Sequence, residues 1–157
     1  MRAALLCVGK LKERYWREAC AEYEKRLTRY VNLEVIEVPD APEPAHESAA
    51  AEMQVLRGEG ERLLSKLRPD DVVVALAVQG KTYDSVGFSR RLEQLAQRGR
   101  VVFVIGGSLG LSPEVYARAE ERVSFSTLTF PHQMMRVIFL EQLYRACRIA
   151  AGERYHK

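Results

Sequence analysis

Residues 103–113 read FVIGGSLGLSP: an apolar run, two adjacent glycines, a third glycine three residues later, then Ser-Pro. The run has the composition of a strand buried on both faces. Ser112 is a helix cap and Pro113 a first helical residue. The stretch is a strand-to-helix connection almost stripped of side chains. A tight turn needing positive φ accounts for one or two of Gly106, Gly107 and Gly110. Three glycines beyond the carboxyl end of a buried strand fit a ligand crevice better, because α/β sheets bind ligands there.

Working outward, the same alternation recurs. Arg2–Val8 reads as a buried strand, and ERYWREACAEYEKRLTRY (13–30) carries apolar residues at helical spacing. LEVIEV (33–38) alternates as a strand does, and PDAPEPAHES (39–48) is a proline loop. A helix over 48–67, weakened by Gly58 and Gly60, leads to VVVALAV (72–78), a second doubly buried strand. A helix over 85–98, a short strand RVSFS (122–126) and a long helix over 132–151 complete the pattern. Strands alternating with helices predict an α/β fold with a mostly parallel sheet flanked by helices. No repeat or second domain interrupts it, so 1–157 is expected to be a single domain.

A chain of 157 residues with 47% hydrophobic and 29% charged residues has the composition of a globular protein with a sizeable core. No apolar run is long enough to span a membrane. MRAALLCVGK is too poor in charge and apolar length for a signal peptide. Cys7, Cys20 and Cys147 lack metal spacing and read as reduced thiols, which predicts a cytoplasmic location. The net charge is +3, unevenly spread. Residues 10–29 carry seven basic and four acidic side chains, residues 132–157 five and two, residues 31–78 four and ten. Charge alone reads most simply as solvated helix faces; a polyanionic partner at the basic faces is the sharper reading.

Two familiar motifs fail. Gly80-Lys81-Thr82 lacks the glycine a phosphate loop needs five residues earlier, where Ala75 stands. GGSLGL is not G-x-G-x-x-G, and no long helix opens from its last glycine, so a dinucleotide fold is poorly supported. Ser124–Phe130 offers hydroxyls and main-chain groups to a ligand, or is an ordinary edge strand and turn. On the following helix the apolar arc is broader than one sheet face covers, which predicts a second copy of the chain as partner. Arg136 projects into that arc and reads as an ion-paired core arginine before an anion contact. His132 is a cap or a site residue, and His46 a loop residue. Tyr155 and His156, flanked by Arg154 and Lys157, are either a frayed end or a set suited to stacking on bases and holding phosphates. No His, Cys and Asp cluster has metal spacing.

ALAVQGK, VIGGSLGL, SFSTLTFPHQMMRVIFLEQLYRA and the final GERYHK together resemble the small bacterial SPOUT methyltransferases that modify N3 of a pseudouridine in 23S ribosomal RNA. The likeness spans essentially the whole chain. It implies a SPOUT fold with a C-terminal trefoil knot, a threading that ordinary topology rules exclude. It also implies a homodimer with a composite active site, S-adenosyl-L-methionine (S-adenosylmethionine) as cofactor, 23S rRNA in the ribosome as partner, and no metal. Carried over by motif, the cofactor contacts are Leu76, Gly106, Phe125, Ser126, Thr127, Leu128, Thr129 and Phe130. His156 is then the expected base or proton-path member, Tyr155 the residue on the uracil ring, and Arg145, Arg154 and Lys157 the RNA contacts. The rival readings are an RNA-binding protein that has lost its cofactor and a nucleotide-dependent oxidoreductase.

Overall fold

The computed structural model describes residues Met1–Lys157. Five strands, β1 (Arg2–Val8), β2 (Asn32–Val38), β3 (Val72–Thr82), β4 (Val101–Ile105) and β5 (Glu121–Ser124), form one sheet in the order β2-β1-β4-β3-β5. Every pairing is parallel. The three central strands are the apolar runs, buried on both faces, as parallel sheets require.

Each face has its own core. Helices α1 (Arg14–Leu27), α3 (Ser85–Ala96) and α5 (His132–Ala150) cover one face, around Phe103, Phe139, Leu5 and Leu143. Helices α2 (Ala49–Leu64) and α4 (Pro113–Arg118) cover the other, around Leu6, Leu63, Val104 and Val115. Side chains cap three helices: Ser112, as the sequence indicates, and also Ser48 and Asp84 accept from the amides of Val115, Ala51 and Gly87 respectively. At the amino end of the sheet Arg100 forks onto Asp71 at 2.8 and 2.9 Å, with both side chains buried. Burial alone would raise the Asp71 carboxyl, but the Arg100 and Arg68 hydrogen bonds win and hold it below its ordinary value.

The helices expected over 48–67 and 85–98 end earlier, at Leu64 and Ala96, and two strand ends also differ from expectation. β3 runs four residues past Val78, to Thr82, because Lys81 and Thr82 rejoin β5. β5 ends at Ser124, so Phe125 already lies outside the sheet. The three cysteines are buried and unpaired, and burial pushes the thiols of Cys7, Cys20 and Cys147 up to about 12, 11 and 11. No helix is long and apolar enough to cross a membrane.

Candidate active site

A cavity of about 860 Å³ opens beyond the carboxyl ends of β3, β4 and β5. Its first wall comes from a fault in β3. Leu76 and Lys81 both pair with Val123, so the four residues between them leave the ladder. Gly80 makes this possible: a Cβ there would stand 2.8–2.9 Å from the backbone of Arg122–Ser124. Ala77, Val78 and Gln79 arch outward and line the cavity.

The glycine bend forms the second wall, and its bareness has three separate causes. Gly110 has φ +87°, the left-handed region. Gly106 has its side-chain volume occupied by the Gly110 carbonyl. Gly107 lies against the buried Glu59 carboxylate, 3.1 Å from where its Cβ would be. The amide of Gly110 donates to the Gly107 carbonyl and closes the bend. The glycines thus first accommodate the chain's own backbone, and by doing so present main chain to the cavity.

The third wall is the segment after β5. The Ser124 hydroxyl donates to the Ser126 carbonyl (2.8 Å), and the Ser126 hydroxyl accepts from the Leu128 amide (3.0 Å). Those hydroxyls hold the loop's shape. Phe125 anchors it edge-on to Phe88, with ring centroids 5.4 Å apart. Pro131 then caps α5 and brings His132, Gln133 and Met135 to the cavity.

The lining is largely apolar and main chain. Val78, Leu109 and Leu128 stand 42%, 40% and 68% exposed at this one site. Arg122 is the one fully charged lining side chain, and it stacks on Tyr116 at 3.9 Å. Burial, and then Arg136, pull the His132 imidazole below its ordinary value. Arg136 itself is buried and donates to Glu37 (2.6 Å) and the Gly9 carbonyl (2.7 Å), the ion-paired core arginine that the sequence favours. Such a pocket offers apolar surface together with main-chain carbonyls and amides to a small ligand.

A second cavity, also about 860 Å³, shares Gly107–Leu109, His132 and Gln133 with the first. Its walls carry Glu13, Glu37, Asp40, Glu43, Glu47, Glu52 and Glu59 against Lys10 and Lys12.

Of the residues carried over by motif, Leu76, Gly106, Phe125, Ser126, Leu128, Thr129 and Phe130 line the first cavity; Thr127 does not. Gln79, Tyr116, Arg122, Gln133 and Met135 line it as well; Gln79, Gln133 and Met135 fall within the motifs that carry the resemblance, whereas no motif marks Tyr116 or Arg122. The tail lies elsewhere. After Gly152 turns the chain at φ +69°, Tyr155 packs edge-on to Tyr144 (5.0 Å) and donates to Glu141 (3.1 Å). Arg145 lies over the Tyr155 ring and 3.3 Å from His156 Nδ1, while its guanidinium pairs with Glu141. Arg148 and Tyr30 both hold Glu153. The end is therefore pinned rather than frayed. His156 borders a shallow cavity with Tyr83, Gln142 and Phe125, and Phe125 is common to this cavity and the first. Arg154 and Lys157 are exposed. No three His, Cys, Asp or Glu side chains gather in a metal-holding group.

The fold resembles a solved structure of "a probable methylase family protein" from Haemophilus influenzae Rd KW20. The TM-score is 0.53 and the identity 14%, over 99% of this chain and 70% of that one. A family model described as "Predicted SPOUT methyltransferase" matches residues 1–156. With an all-parallel sheet, a main-chain cavity at its carboxyl edge and a match over essentially its full length, the chain belongs to the SPOUT methyltransferase family.

Proposed function

We propose that this methyltransferase uses S-adenosylmethionine to methylate N3 of a pseudouridine in 23S rRNA on the assembled ribosome. It acts in the cytoplasm as a homodimer of one-domain subunits. The observation that carries the cofactor reading is the cavity beyond the carboxyl ends of β3, β4 and β5, walled by the glycine bend Gly106–Gly110 and by the segment 125–130. The residues fit the group. Leu76, Phe130 and Leu128 supply apolar surface for an adenine, and the main chain of 106–110 and 125–129 supplies amides and carbonyls for its edges. We read the bend and the 125–130 segment as the two sides of the trefoil, with the chain threaded between them before α5.

The bound cofactor supplies an electrophilic methyl group, so the protein's own contribution is placement and proton handling. N3 of pseudouridine carries an imide proton that must leave for the nitrogen to become nucleophilic. His156 is the acceptor in this reading. In this structure its Nδ1 faces the Arg145 guanidinium, which can only donate, so the neutral ring carries its proton on Nε2; to take the imide proton the ring must release Arg145 and present its unprotonated nitrogen to the substrate. Tyr155 lies against the uracil, and Arg145, Arg154 and Lys157 hold phosphates or stabilise charge on the ring carbonyls. Within one chain these residues stand outside the cofactor cavity, which supports a site completed by the tail of a second subunit. Met134, Val137, Ile138 and Ile149 remain partly exposed on α5 and offer the surface for that partner.

The test is mass mapping of 23S rRNA from cells with and without the gene. Loss of one methyl group at a pseudouridine, restored by the wild-type gene, is the expected result. An unchanged modification map would remove the substrate reading.

A further inference from the structure

We propose that the start of α1 is a stacking platform for an unpaired base of the RNA, with Tyr15 presenting its ring and Lys10 and Lys12 holding adjoining phosphates. This deepens the RNA reading above and rests on it.

Four observations lead there. First, only five large apolar side chains stand exposed. Val78, Leu109 and Leu128 rim the cofactor cavity, and Met1 is the chain terminus. Tyr15 remains, 62% exposed. An aromatic ring left in water on a charged helix is the arrangement that single-stranded nucleic acids use, since every base has a π-face to offer it.

Second, the ring is backed. It meets Trp16 edge-on at 4.9 Å, and the turn before it is tied down by Arg17, whose guanidinium donates to the carbonyls of Leu11 (3.2 Å) and Lys12. Stacking on an ordered surface loses less entropy than stacking on a mobile one.

Third, the surroundings are cationic and available. Residues 10–17 hold Lys10, Lys12, Arg14 and Arg17 against Glu13. Arg14 pairs with Glu18, whereas Lys10 and Lys12 are exposed and take no ion-pair partner.

Fourth, the place is right. Lys10 and Lys12 line the second cavity, which shares Gly107–Leu109 and His132 with the cofactor cavity. The seven carboxylates on its walls outnumber Lys10 and Lys12 and repel phosphate, so an anionic strand is kept out of this cavity.

The experiment measures binding of the full-length protein to a fluorescein-labelled oligouridylate of about 12 nucleotides by anisotropy, across a salt series. Tyr15→Ala is expected to weaken binding about 5- to 100-fold with the salt slope unchanged. Tyr15→Phe, which keeps the ring, is expected to bind as wild type does. Lys10→Ala and Lys12→Ala should each flatten the slope of log K on log salt by roughly 0.7. Tyr15 is exposed, so a thermal melt of each variant should match wild type. Unchanged affinity in Tyr15→Ala, a Tyr15→Phe variant as weak as Tyr15→Ala, or a wild-type protein that does not bind the oligomer at low salt would each overturn the platform. So would a Tyr15→Ala defect confined to ribosomal subunits, which would set Tyr15 against folded RNA or ribosomal protein and not against an unpaired base. Tyr15-dependent RNA binding in a protein that leaves pseudouridine unmethylated would support the platform and overturn only the substrate reading.

Discussion

The carbonyl of Gly110 occupies the volume that a side chain on Gly106 would need. The obstacle is backbone, which cannot rotate aside. Gly106→Ala must therefore push the bend apart, at a cost of about 1–3 kcal/mol in stability. It should also weaken cofactor binding at least tenfold. Denaturant unfolding and calorimetry with S-adenosylmethionine measure the two effects. Wild-type values in both would mean that the bend is looser than its geometry indicates.

A composite site makes a complementation prediction. A variant with a blocked cavity (Gly106→Ala) and one with an altered tail (His156→Ala) should each be nearly inactive alone. Mixed and allowed to exchange subunits, half of the molecules become heterodimers with one intact site each, and activity should return to about a quarter of wild type. Single-turnover assays on assembled ribosomes measure it. No recovery would place the tail's action within its own subunit, and full activity of His156→Ala alone would end its proton role.

The buried pair at the opposite end of the sheet should matter to stability alone. Arg100→Met leaves the Asp71 carboxylate buried without its fork, which costs about 3–5 kcal/mol. The Asp71 carboxyl sits below its ordinary value of 3.8, so its contribution is fully present above that pH and is lost as pH falls through the folded value. Denaturant midpoints of wild type and Arg100→Met should converge at acid pH.

Glu59 has the opposite sign. Burial raises its carboxyl above the ordinary 4.5, although the Ala41 amide donates to it. Below pH 4.5 it is protonated folded or unfolded. As pH rises past 4.5 the unfolded chain gives up that proton first, and stability falls until the folded group also ionises. Glu59→Gln keeps an acceptor for Ala41 and removes the slope. It should melt higher than wild type at pH 7 and match it below pH 4.5. A variant that melts lower at pH 7 would show that the charge is needed.

Legibility from sequence followed burial. The doubly buried strands, the Ser112–Pro113 helix start and the long α5 were readable because each has a one-dimensional signature in its own residues. Seven of the residues taken from the family likeness do line the cavity. The arch at 77–80 was not readable, because it depends on which residues of β5 sit opposite. Glu59 behind Gly107 is a contact between distant segments and leaves no local trace. Gly106 was expected to be bare for a ligand, and its immediate reason is Gly110. Arg122 and Tyr116 reach the cavity only through the placement of α4 and β5. The tail reads from sequence as either a frayed end or a base-stacking set, and only the fold brings Tyr30, Glu141 and Arg148 to it and pins it.

Cys7, Cys20 and Cys147 are buried, and their thiols titrate far above neutrality. The native chain therefore presents almost no thiolate to a maleimide or nitroxide reagent. One cysteine introduced on the surface becomes a unique attachment point without any prior removal of the natural ones. In the proposed dimer, a spin label at an exposed site on α1 would report the separation of the two such helices, and so turn the subunit arrangement into a measurable length.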